Sequence, residues 1–113
     1  MATTPESRIK DKIRAVLKSY EHIYFFMPVP TGMGATTVDF LCCYRGHFFG
    51  IEAKAPGKIP TPRQEYVLEQ IRLAGGSTFT IDGDAGLDAL REFLEIGQQV
   101  NERTHPDNPY LRR

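Results

Sequence analysis

The sequence predicts an α/β domain built on a mixed sheet, with elements in the order helix, strand, strand, strand, helix, strand, helix and with helices on both faces. Three observations lead there. Apolar residues recur at helical spacing in three stretches, and β-rich runs of period two lie between them. A Gly-centred turn joins two of those runs as a hairpin. A helical crossover then leads to a later strand, which mixes parallel with antiparallel pairing.

The first helix starts at Thr4-Pro5, with Thr as cap and Pro at the first helical position, and is expected to run to about Tyr20. Its apolar stripe is Ile9, Ile13, Val16 and Tyr20, with Leu17 beside it, and Glu6 falls on the same stripe one turn earlier. Lys10, Lys12, Arg14 and Lys18 lie mostly off it. His22 to Val29 reads as the first strand, ended by Pro28 and Pro30. Thr31 to Ala35 then forms a glycine-rich loop that fits no phosphate-cradling pattern, so a nucleotide cofactor is not expected.

Thr37 to Tyr44 and His47 to Lys54 flank Arg45-Gly46, and Gly supplies the positive φ that a two-residue hairpin turn needs. Setting Tyr44 opposite His47 sets Asp39 opposite Glu52 and Thr37 opposite Lys54. Asp39, Glu52 and Lys54 then project from one side of the hairpin, together with Leu41, Cys43, Phe48 and Gly50. The other side carries Val38, Phe40, Cys42, Phe49 and Ile51, so the hairpin is expected to be buried on both faces. Directly opposed side chains have Cβ atoms about 4.5–5.5 Å apart, where two like charges are destabilising. Such a carboxylate pair needs a counter-charge that Lys54 supplies only in part. One or two Mg²⁺ ions, held by carboxylate oxygens with water and phosphate completing the shell, would supply the rest, and Mn²⁺ can substitute.

After the link Ala55 to Lys58, a second helix opens at Thr61 with Pro62 at its first position. Thr61 and Gln64 have the spacing of a capping box, while Gln64 also falls on the inward stripe with Val67, Ile71 and Ala74. Lys58 and Arg63 stand nearby as candidate phosphate contacts or as ordinary solvated cations. Gly75-Gly76 ends the helix, Ser77 to Ile81 forms the last strand, and Asp84 caps a final helix that buries Leu87, Leu90, Phe93 and Leu94. The domain is expected to occupy residues 1–97, and 98–113 to be a polar tail or an arm laid on a partner subunit.

Asp39, twelve residues, then Glu52-Ala53-Lys54, followed by the helix start Thr61-Pro62-Arg63-Gln64, resembles the PD-(D/E)XK nuclease superfamily, and within it the small stand-alone virus-type replication-repair nuclease (VRR-NUC) domains. The resemblance covers roughly residues 6–81. Val38 stands where the superfamily name records proline. The resemblance implies a restriction-endonuclease-like core, with Asp39 and Glu52 as metal ligands, the Ala53 carbonyl as a further ligand and Glu6 completing the site. Glu6 is equally well read as an acid favoured at a helix N-terminus. Lys54 would position and help deprotonate the attacking water. Gln64 would orient water or phosphate, and Lys58, Arg63 and Lys10 would contact DNA. The implied activity is metal-dependent endonucleolytic cleavage leaving a 5′-phosphate and a 3′-hydroxyl. Branched DNA such as a four-way junction in replication, repair or recombination is the expected substrate, and a homodimer the expected assembly. The alternatives are a catalytically silent nucleic-acid-binding module of the same fold and a small structural or interaction protein.

Charge and composition agree with this class. The chain has 113 residues and no net charge, yet residues 1–72 carry ten Lys/Arg against seven Asp/Glu, and 82–102 carry six acids against Arg91 alone. An acidic last helix turned away from the site would leave a positive field for phosphate. Cys42 and Cys43 point to opposite faces of one strand and read as reduced thiols. No signal peptide or spanning segment is visible, so a cytoplasmic protein is expected, in the host cytoplasm if viral. His22, His47 and His105 form no zinc pattern.

Overall fold

A computed structural model describes residues 3–29 and 37–104. The glycine-rich loop and the last residues of the expected tail lie outside them. The elements are α1 (Pro5–Lys18), β1 (Ile23–Phe26), β2 (Phe40–Tyr44), β3 (His47–Ala53), α2 (Pro62–Leu73), β4 (Ser77–Ile81) and α3 (Asp84–Thr104). The sheet order is β1-β2-β3-β4, antiparallel across the first two pairs and parallel between β3 and β4. This is a small α/β domain with a mixed sheet. Among the described residues no helix is long and apolar enough to cross a membrane.

The hairpin closes through two left-handed residues, Arg45 at φ 54° and Gly46 at φ 82°, the combination that matches strand twist in a two-residue turn. Tyr44 pairs with His47 and Phe40 with Ile51, the register expected from the sequence. Alternation then sorts the side chains. Phe40, Cys42, Tyr44, Phe49, Ile51 and Ala53 face α1 and α3, where they join Ile9, Ile13, Leu17, Leu87, Leu90 and Leu94 in the main core. Each large apolar side chain buried there contributes about 1.5–3 kcal/mol. On the opposite face α2 lies over β3 and β4, and Tyr24, Phe26 and Phe48 of that face stay exposed, so the hairpin is not buried on both faces as expected. Gly50 leaves room there for Ile71, whose Cδ1 would lie 2.8 Å from any Cβ at that position.

Several boundaries differ from expectation for physical reasons. The β2 ladder begins at Phe40 rather than Thr37, because Asp39 bends the chain and its carboxylate replaces a main-chain acceptor. With the pleat broken there, Val38 packs over Gly50 on the α2 side and not on the α1/α3 side. β1 is shorter than His22 to Val29, since His22 adopts a left-handed turn conformation at φ 62°. α1 stops at Lys18, and Tyr20 instead donates its hydroxyl to Glu95 of α3 at 2.7 Å. In α2 the fully buried residue is Leu68, with Val67 and Ile71 half-buried and Ala74 exposed as the C-cap. Asp84 is the first residue of α3, and the Gly83 carbonyl accepts the Leu87 N–H at 3.2 Å. The last helix also continues past Gly97 to Thr104, so the expected tail begins as helix. Its Gln, Val, Asn, Glu and Arg residues tolerate that conformation, and no proline intervenes before Pro106.

Candidate functional site

Three segments of the chain bring five charged side chains to one end of the sheet. α1 contributes Glu6 and Lys10, the bend before β2 contributes Asp39, and the end of β3 contributes Glu52 and, just beyond it, Lys54. The position of Asp39 is fixed from two sides. Its Oδ2 accepts the Ala53 N–H at 2.8 Å, and its Oδ1 lies 3.4 Å from Lys10 Nζ. Lys10 Nζ also lies 3.9 Å from Glu6 Oε2, one helical turn back on the same face of α1.

Glu52 is the unusual member. It is 2% exposed, the one charged residue buried among those described, and its Oε1 has no hydrogen-bond partner among them. Burial is the largest influence on its carboxyl and the neighbouring Asp39 carboxylate the next. Lys54 opposes them, Glu6 adds to them, and the pKa is pushed up to about 7. A buried acid held beside a second carboxylate works against stability, and pairs of this kind concentrate at functional sites.

The strand end is also well held. Lys54 N–H donates to the Ile81 carbonyl at 2.9 Å, which continues the parallel ladder one residue beyond β3. Asp82 Oδ2 accepts the Gly57 N–H at 3.1 Å and ties down the link between β3 and α2. Ala53 turns its side chain into the core and its N–H towards Asp39. In an antiparallel strand the N–H and C=O of one residue face the same edge, so the Ala53 carbonyl opens where β2 has bent away.

The remaining candidates stand differently. Gln64 uses its amide oxygen on the Thr61 N–H at 2.9 Å, while its own N–H donates to Thr61 Oγ1 at 3.2 Å, so this structure shows it in the capping box. Lys58 and Arg63 are exposed at the start of the α2 segment. Lys10, expected as a DNA contact, sits among the carboxylates. The signal was in the sequence, since Lys10 follows Glu6 by four residues. Asp82 had no comparable signal, because nothing in its local pattern points to Gly57. A cleft of about 530 Å³ lies elsewhere, at the turn end of the hairpin beneath α2. Its lining of Leu41, Phe48, Val67 and Ile71 offers no acid–base pair.

The donor set suits a hard cation of low protein coordination number. Among the described residues, no three His, Cys, Asp or Glu side chains converge as a ready-made cage. Two carboxylates, one with an orphaned buried oxygen, are what a Mg²⁺ that keeps several waters requires. No protein-family model matches this chain, and no curated protein matches it either.

Proposed function

We propose that this protein is a Mg²⁺-dependent DNA endonuclease of the PD-(D/E)XK kind, close to the stand-alone VRR-NUC domains, acting on branched DNA as a homodimer. The observation that carries the reading is Glu52, an acid buried at a cost to stability, with one oxygen unpartnered, beside Asp39 at a strand end. The element order α1-β1-β2-β3-α2-β4-α3, with the acidic pair on the central hairpin, supports a restriction-endonuclease-like core.

Asp39 and Glu52 would hold the metal, with the Ala53 carbonyl and Glu6 as neighbouring donors. The ion, when bound, supplies Lewis-acid activation of the phosphodiester and neutralises developing charge. Lys54 would position the attacking water and help to deprotonate it, the proton passing on to solvent. The new bond joins the water oxygen to phosphorus, and the bond to the 3′-oxygen breaks. The departing oxygen takes a proton from solvent, leaving a 3′-hydroxyl and a 5′-phosphate. Lys58 and Arg63 offer charge to the flanking backbone, which positions DNA without reading sequence. Backbone contacts favour shape over sequence, and a two-fold dimer would place two such sites on symmetric strands of a junction.

The test is cleavage of an end-labelled four-way junction and a matched linear duplex in Mg²⁺, Mn²⁺ or EDTA. Symmetric metal-dependent cuts in the junction support the proposal as stated. Equal cutting of the duplex retains the nuclease and removes the branched-substrate preference. Binding without cutting under every metal condition would replace the nuclease with a silent binding module.

A further inference from the structure

Two lysines flank the carboxylates, and their positions differ in kind. Lys54 follows Glu52 on its own strand, whereas Lys10 reaches across from α1 and ties that helix to the start of β2. Lys10 is also aimed at a particular oxygen. Asp39 Oδ2 is committed to the Ala53 N–H at 2.8 Å, so Oδ1 is the oxygen left for a ligand, and it is Oδ1 that Lys10 Nζ approaches at 3.4 Å. The second contact of the same ammonium is Glu6 Oε2 at 3.9 Å, the other acid of this cluster that α1 provides.

From this geometry we infer that Lys10 is a built-in counter-ion, which holds the Glu6–Asp39 position in the metal-free protein and must be displaced when a divalent cation binds. The inference rests on the proposed metal site. A divalent ion sits about 2.0–2.6 Å from its carboxylate oxygens. An ammonium 3.4 Å from the same oxygen would then be in near contact with a doubly charged ion, and the two repel. The Lys10 side chain is 32% exposed, so a swing of its flexible stem into solvent is open to it. Metal-free protein thus keeps its acids partly neutralised, and the competition sets how much metal is needed to fill the site.

The experiment is a titration of the full chain with Mn²⁺, following free Mn²⁺ by its EPR signal, for wild type, Lys10→Met, Lys10→Gln and Lys10→Arg. Methionine keeps most of the apolar stem without the charge, and glutamine is the second neutral variant should methionine impair folding. Removing the competing charge should tighten Mn²⁺ binding about 10-fold in either neutral variant, while Lys10→Arg stays within a few-fold of wild type. Binding by a neutral variant where wild type shows none would support the inference equally. If wild type binds Mn²⁺ and the folded neutral variants bind it no more tightly, the inference is overturned and the metal site stands. If neither wild type nor any variant binds, the metal-site reading fails and takes the inference with it. A purely structural role for Lys10 would lower the melting temperature without tightening metal, which the same samples report.

Discussion

Replacing Glu52 with glutamine should make the metal-free protein more stable at neutral and alkaline pH. Burial and the Asp39 carboxylate raise this carboxyl from an ordinary 4.5 to about 7, with Lys54 recovering part of the loss. That displacement corresponds to roughly 3 kcal/mol against the ionised form in the folded protein. The sign follows from proton binding. Between about 4.5 and about 7 the folded protein holds a proton that the unfolded chain has released, so this group lowers stability progressively as pH rises through that window, and no further above it. Glutamine has nearly the same shape, cannot ionise, and carries an amide able to donate to Asp39. Urea denaturation in EDTA, for wild type and Glu52→Gln at pH 4 and pH 8, isolates the effect because the other titrating groups are common to both proteins. The difference should be near zero at pH 4 and about 2–3 kcal/mol in favour of glutamine at pH 8, with unchanged m-values. A pH-independent difference, or a glutamine variant less stable at pH 8, would refute the reasoning that Glu52 is a charge held at a cost.

Three further outcomes follow from local geometry. Gly50→Ala places a Cβ 2.8 Å from Ile71 Cδ1 and 3.2 Å from Val38 Cγ2, and should cost about 1–3 kcal/mol in urea melts, with Ile71→Val recovering part of the loss in the double variant. The Cys42 thiol, pushed up to about 12 mainly by burial, should resist maleimide at pH 7.5 in the folded protein and react in urea; mass mapping of rapid native labelling at Cys42 would contradict its place in the core. Gln64→Glu preserves the capping box with Thr61, so stability should stay within about 0.5 kcal/mol of wild type. A cleavage defect in that folded variant would show that Gln64 serves the site as well as the cap.

What could be read from the sequence was whatever a short stretch determines alone. Arg45-Gly46 set the hairpin register because two consecutive left-handed residues admit few turn geometries, and that register holds as far as Phe40 opposite Ile51, one step short of Asp39 and Glu52. The starts of α1 and α2 were equally plain, each with Thr at the cap and Pro next. Strand alternation misled at Val38, where a side-chain carboxylate takes over from the backbone and ends the pleat. Lys10 was assigned outwards by its place off the apolar stripe. Its spacing from Glu6 is legible in the sequence, but its partner Asp39, in the bend before β2, is a tertiary contact that no helical pattern reveals. The extension of α3 was hidden by polar composition, which separates solvated helix poorly from tail.

The central claim is that Asp39, Glu52 and Lys54 form one hydrolytic unit, and single-turnover cleavage of labelled branched DNA tests it most directly. Wild type, Asp39→Asn, Glu52→Gln and Lys54→Ala would be compared at saturating Mg²⁺, each confirmed folded by circular dichroism. We predict cleavage by wild type and a loss of at least about 100-fold in every variant with DNA binding retained, as removal of a metal ligand or of the water-positioning group demands. Cleavage by folded Lys54→Ala and Glu52→Gln at the wild-type rate would contradict the account.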